Sequence, residues 1–138
     1  MKRSIYDRVR EDLRKKMVFL TGPRQVGKTY LSKDLQREFK GPVYLNNDDV
    51  TDIKIIRKRS WPLNAGLVIL DEIHKMKGWK AFLKGTFDTK GIDQSILVTG
   101  SARLETFRQT GDSLAGRYFL HRLHPLSVKE LSGLMPPY

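Results

Sequence analysis

No cysteine occurs among the 138 residues. That excludes disulfides, thiolate metal sites and a cysteine nucleophile, and it fits a reducing cytoplasm. Long apolar runs are missing too. The longest, MVFL from Met17 and LVIL from Leu67, fall far short of the ~18 residues of a membrane span. The basic start MKRS leads into IYDRVRED rather than an apolar stretch, so no signal peptide is expected. The chain is therefore expected to be cytoplasmic, with no membrane partner. There is no internal repeat, low-complexity stretch or long linker. Acidic residues are scarce beside basic ones, 15 against 26, which leaves a net charge of +11 and a pI near 10.0. Such a balance attracts polyanions: nucleotide phosphates, nucleic acid or an acidic protein surface. A solvated basic surface is the plain alternative.

The remaining composition, 39% apolar and 30% charged, is that of a globular domain. A chain of this length can bury ~68% of its unfolded surface, enough to fold without staples. Ile5, Val9, Leu13 and Met17 recur at fourfold spacing, which predicts an amphipathic helix over 5–17. Met17 to Thr21 reads as a strand buried on both faces, closed by Gly22-Pro23. Helical spacing returns from Lys28 to Phe39 and stops before Gly41-Pro42. Further strands are predicted at 43–45, 67–70, 96–98 and 118–123, and further helices over 49–60 and from Trp79 to Phe87. Alternating strands and helices imply βαβ units and a parallel sheet covered by helices.

Residues 22–29 read GPRQVGKT, the pattern G-x-x-x-x-G-K-[ST] between a buried strand and a helix. Chance produces this pattern in on the order of one chain in a few hundred of this length. Glycines let the backbone aim successive N–H groups at a phosphate, and the positive end of the helix adds to the anion site. Gly22, Pro23, Arg24, Gln25, Val26, Gly27, Lys28, Thr29 and Tyr30 are the expected nucleotide-binding stretch. Lys28 would reach the β- and γ-phosphates, and the Thr29 hydroxyl would ligate Mg²⁺. No guanine-reading N-K-x-D string is present, which favours ATP.

The strand LVIL ends in Asp71-Glu72, at the carboxyl end where parallel sheets bind ligands. Asp71 can hold Mg²⁺ through water, and Glu72 can take the proton of an attacking water. The plain alternative is a helix cap. The next strand ends in Thr99-Gly100-Ser101. Ser101, or else Thr99, is the candidate that positions water or senses the γ-phosphate, against a capping serine. Arg117 is a candidate for stabilising charge on the transferring phosphate, against a surface salt bridge. His74, His121 and His124 lack metal-ligand spacing and are expected to be structural or exposed.

GPRQVGKT, LDEIHK at 70–75, ILVTGS at 96–101 and SLAGRYFLHRLHPLS at 113–127 together resemble the AAA-type ATPase domain of a widespread bacterial and archaeal family. Its members are usually predicted ATPases and often carry a C-terminal nuclease-like domain of unknown function. The likeness runs from about Met1 to Leu131. It implies a P-loop NTPase of α/β class, a RecA-like AAA core with five parallel strands in the order 5-1-4-3-2. It implies Glu72 as catalytic base, Ser101 as sensor and Arg117 as an arginine finger. Residues 1–138 are expected to be the ATPase core. The chain stops at Pro136-Pro137-Tyr138, where members continue into a helical lid and a further domain.

The expected function is Mg²⁺-dependent ATP binding and hydrolysis coupled to conformational work on a protein partner. One alternative is a P-loop kinase, disfavoured because Glu72 beside Asp71 adds water activation. The other is a nucleic-acid-binding module with a regulatory nucleotide site. It is motivated by basic clusters at 8–16, 54–59 and 75–84, which make DNA a candidate partner.

Overall fold

The computed structural model describes residues 5–22, 26–101, 104, 114 and 116–123, with 26–30 described in backbone only. Helix α1 (Ile5–Leu13) leads into strand β1 (Met17–Thr21). Helix α2 (Val26–Arg37), strand β2 (Val43–Asn46), helix α3 (Val50–Lys58) and strand β3 (Leu67–Asp71) come next. A 3-10 turn (Ile73–Lys75), helix α4 (Trp79–Thr89), strand β4 (Ser95–Gly100) and strand β5 (Tyr118–Arg122) complete the described elements. The strands form one parallel sheet in the order β2-β3-β4-β1-β5. This is the expected 5-1-4-3-2, read from the opposite edge.

Alternation along the central strands divides the core in two. Met17 and Phe19 of β1, Val68 and Leu70 of β3, and Ile96 and Val98 of β4 pack with Ile56 of α3 and Leu83 of α4. Val18 and Leu20, Leu67 and Ile69, and Leu97 pack on the other face with Ile5, Val9 and Leu13 of α1 and Leu31 and Leu35 of α2. All of these side chains are buried. The continuous apolar runs are explained by this: both faces of each central strand are covered.

The expected helix over 5–17 is shorter than its periodicity. It ends at Leu13, because the Lys15 and Lys16 amides both donate to Asp12 O, at 2.9 and 3.0 Å. Met17 belongs to β1, and its amide donates to Arg117 O at 3.1 Å. Fourfold spacing carried past the helix end because the first strand residue is also a core residue. Helix α3 has a clear start: Asp49 accepts from the Asp52 amide at 3.0 Å. Its end is Arg59 in the left-handed region, φ 48°, a helix-closing geometry.

Strand register brings the polar strand ends together. Asp71 lies between Asn46 on β2 and Thr99 on β4, and Gly100 lies beside Thr21 on β1. The carboxyl ends of β1, β3 and β4 therefore meet at one edge of the sheet, beside the start of α2.

Candidate nucleotide site

The site is built on the turn from β1 to α2. Thr21 is the last β1 residue, and its carbonyl accepts from the Leu123 amide at 2.7 Å. Gly22 comes next, where a Cβ would stand 3.0 Å from Leu123 O and 3.1 Å from Leu123 Cβ. A side chain there would push the end of β5 away, so glycine is required by the neighbouring strand. Pro23, Arg24 and Gln25 lie outside the described residues. Val26, Gly27, Lys28, Thr29 and Tyr30 form the first turn and more of α2, in backbone only. That first turn carries no acidic residue, so nothing on the helix itself offsets its positive end.

Asp71 ends β3 one strand from that turn. Two residues after Ile69, it shares that residue's face of the sheet, the face covered by α2. The Thr99 hydroxyl donates to Asp71 Oδ1 at 2.7 Å, and the Tyr44 hydroxyl donates to Oδ2. Two hydroxyls from the flanking strands thus fix the carboxylate in direction. Burial first, then the bond to Asp71, pushes the Tyr44 phenol well above its usual range, so it stays a donor. Thr99, 3% exposed, is held in place by this bond.

Glu72 breaks the alternation. Its φ of 60° and ψ of 30° are left-handed, with no side-chain cap bond to the 3-10 turn after it. A non-glycine residue there is strained, and such strain clusters at functional sites. The helix-cap alternative is thereby excluded for its side chain. The Glu72 amide donates to Thr99 O at 2.9 Å, which anchors the turn on β4. Its side chain is only 10% exposed and lies 3.5 Å, Oε2 to Nε2, from a His74 side chain that is 8% exposed. Oε2 has no hydrogen bond among the described residues. A Cβ on Gly100 would stand 3.1 Å from His74 Nδ1 and 3.7 Å from Glu72 Oε2. Glycine at the end of β4 leaves the room into which both side chains pack.

Around this pair, Asn47 is buried, its amide donating to Asp71 O at 2.8 Å while its Oδ1 has no partner among the described residues. Lys75 Nζ donates to both carboxylate oxygens of Asp48 at 3.0 Å. Ser101 closes β4, and its carbonyl accepts from the Leu104 amide at 3.0 Å. The residues present suit a nucleotide and its metal. Among the described residues no three His, Cys, Asp or Glu side chains form a metal cluster. Mg²⁺ in phosphate sites takes one or two carboxylates, phosphate oxygens and waters, which is the donor set Asp71 can join.

The family model for an AAA domain matches residues 14–132. The chain belongs to the AAA-domain family. Uncharacterized proteins of Mycobacterium bovis and Mycobacterium tuberculosis are each 29% identical to it over 119 residues, 85% of this chain and 27% of theirs. The chain thus spans about a quarter of the length of these relatives. Among solved structures, the Pyrococcus furiosus Hef helicase domain is similar in fold, with a TM-score of 0.56 at 8% identity. That likeness covers 94% of this chain and 40% of the other. Family membership makes this a nucleotide-binding, ATPase-type domain, and among its described residues no helix is long and apolar enough to cross a membrane.

The AAA fold brings together Gly22, Asp71, Glu72 and Ser101, and sets the start of α2 beside them. It does not bring Arg117. That residue precedes β5, at the opposite end of the sheet, where its Nε donates to Asp88 at 3.0 Å. Five residues of β5 put ~16 Å between the two ends at ~3.3 Å per residue, beyond an arginine's reach to this chain's own nucleotide. The salt-bridge alternative for Arg117 is the one observed. His121 pairs with Asp12 of α1 at 2.8 Å, a structural role, and His124 lies outside the described residues. Tyr44, His74 and Asn47 were missed by sequence reasoning. Position two after the acidic pair was a usable signal for His74; Tyr44 and Asn47 had none before the register was known.

Proposed function

We propose that this AAA domain, residues 1–138 acting as the core, binds Mg·ATP at the carboxyl ends of β1, β3 and β4 and hydrolyses it. Its output is conformational work on a protein partner. The observation that carries the reading is the treatment of two adjacent carboxylates. Asp71 is held by two hydroxyls on the α2 side of the sheet, while the left-handed turn at Glu72 sends the second carboxylate into a water-poor slot beside His74. Neighbouring carboxylates in contrasting surroundings are how a site divides metal and proton duties.

In this reading the phosphates lie on the amides of the Gly22–Thr29 turn and on Lys28. Thr29, and Asp71 through water, would hold Mg²⁺, which would supply positive charge against the phosphates. Glu72 takes the proton of the attacking water as the new oxygen–phosphorus bond forms and the bond to the bridging oxygen breaks. His74 Nε2 faces one Glu72 oxygen and leaves the other to the water. Ser101, at the end of β4, fixes that water or contacts the γ-phosphate. The test pairs two variants. Lys28→Ala should lose nucleotide affinity by calorimetry, whereas Glu72→Gln should bind normally and release phosphate far more slowly. Equal affinity in Lys28→Ala, or parental turnover in Glu72→Gln, would overturn the assignment.

A further inference from the structure

The opposite edge of the sheet carries a cleft of about 720 Å³, lined by the segments that enter β1, β2, β3 and β4. Residues 14–16 follow α1, 38–40 follow α2, 63–66 precede β3 and 90–94 precede β4, with Leu13 and Ser95 at the adjoining ends of α1 and β4. Arg14, Lys15, Lys16, Lys40 and Lys90 line it, against Glu38 and Asp93. These cations are scattered over the sequence and assembled only by the sheet.

Much of their charge is left unneutralised. Arg14, Lys15 and Lys40 are exposed and make no ion pair among the described residues, whereas Arg10, Lys75 and Arg117 each hold a carboxylate. Lys16 and Lys90 rest over the Phe119 and Phe87 rings, at 5.0 and 5.5 Å. Glu38 is already occupied, by the Tyr6 hydroxyl and by Arg10 at 3.2 Å. Burial draws the Lys90 ammonium below its usual range, with Asp93 opposing that only in part. An anion in the cleft would relieve it.

The walls are stiff. Gln94, 3% exposed, donates to the Pro62, Leu63 and Ala65 carbonyls at 3.1–3.3 Å. Ser95 donates to Leu13 O at 2.9 Å, and a Cβ on Gly91 would stand 2.8 Å from Leu63 O. The cleft is therefore formed before any ligand arrives, which lowers the cost of binding. That last approach also sets the 63 and 91–92 loops side by side. Leu63 is 73% and Ile92 96% exposed, two aliphatic side chains on the rim next to Lys90.

We propose that this cleft is a docking site for an acidic peptide segment bearing aliphatic side chains. Unpaired cations steer and hold its carboxylates, and Leu63 with Ile92 receive its aliphatic groups. A nucleic-acid strand fits less well, because single strands need exposed rings on which bases stack. The one ring among the lining residues, Phe39, is packed against the α1–α2 core.

The probe is a fluorescein-labelled peptide of alternating glutamate and leucine, followed by anisotropy with the 138-residue chain at low and moderate salt. A lysine–leucine peptide and an oligodeoxythymidylate of equal length serve as comparisons. Binding should weaken with salt and fall about tenfold or more in Lys15→Glu/Lys40→Glu. It should fall several-fold at every salt concentration in Leu63→Ser/Ile92→Ser. It should be unchanged in Lys54→Glu/Arg57→Glu/Lys58→Glu on α3, and saturating ATP should not compete. All the altered residues are exposed, and melting curves verify folding. No peptide binding at low salt would overturn the proposal, as would equal loss in the α3 variant. Oligodeoxythymidylate binding at least as tightly, indifferent to Leu63 and Ile92, would assign the cleft to nucleic acid instead.

Discussion

The two edges of the sheet carry opposite chemistry. At the carboxyl ends of the strands, acids and hydroxyls gather: Asp71 with Thr99 and Tyr44, Glu72 with His74, and Asp48 with Lys75. At the amino ends, cations gather around an open cleft, and several have no carboxylate to pair with among the described residues. The first edge is made by strand ends, the second by the loops that enter them. A parallel sheet forces this separation, since every strand enters at one edge and leaves at the other. The basic balance of the whole chain therefore says little about the nucleotide edge. Lys75 there is held by Asp48, whereas Arg14, Lys15 and Lys40 at the other edge make no ion pair among the described residues.

The comparison breaks most visibly at Glu72. Glu72→Gln should slow phosphate release by ~10²–10⁴-fold while leaving peptide binding at the far cleft unchanged, with both measured on one preparation. A variant that lost both would mean that the two edges are coupled. Lys28→Ala should weaken Mg·ATP by about 10- to 100-fold, the loss of a charge-assisted bond, again sparing the cleft.

His74 sharpens the account within the nucleotide edge. His74→Leu should lower kcat roughly tenfold with nucleotide affinity unchanged, and His74→Gln, which keeps a donor, should recover much of it. If the leucine and glutamine variants turned over alike, the contact with Glu72 would be packing alone. Adding His74→Leu to Glu72→Gln should cost nothing further, because the group being aimed is gone. Tyr44→Phe should have a smaller effect, of order ~1 kcal/mol for one hydrogen bond, read as a few-fold rise in the Mg²⁺ concentration needed for half-maximal turnover.

The smallest effect belongs to Arg117. Arg117→Ala should leave turnover of the isolated chain at the parental value, since the side chain sits at the cationic edge. A fall in turnover that grows with protein concentration would show it acting on a neighbouring copy. Its melting temperature should change little, because exposed pairs contribute little. The hydrogen bond from Arg117 holds Asp88 below its usual range of about 3.8. The small stabilisation is thus present above that pH and closes as acid protonates Asp88 in the folded state.

Much of the nucleotide edge was legible in the chain itself. Short apolar runs, GPRQVGKT and Asp71-Glu72 are local patterns; the strands before and the helices after them are found, while Pro23, Arg24 and Gln25 lie outside the described residues. The misreading of the first helix as 5–17 came from Met17, a core residue at helical spacing that belongs to a strand. Arg117 was read from its sequence neighbourhood, which carries no information about the edge of the sheet from which β5 starts. Tyr44 lies 27 positions from Asp71, and only the pairing of β2 with β3 makes them neighbours. Of the basic clusters, the 54–59 stretch loses Arg59 to Thr86 and the Phe82 ring, and the 75–84 stretch loses Lys75 to Asp48.

By itself, then, the sequence determined what is local: strands buried on both faces, a glycine where β1 ends and a helix that starts close after it, and two carboxylates at a strand end. Those arise from side-chain period, backbone freedom and short-range order, which need no partner strand. The tertiary structure decided what depends on register and on the edge from which each strand starts. It gave Asp71 its two hydroxyls, set His74 under Gly100 beside Glu72, turned Arg117 away from the nucleotide edge, and gathered scattered lysines into one cleft. The physical reason is that hydrogen-bonded pairing aligns residues by their place on neighbouring strands, and that alignment is set by the packing of the whole sheet.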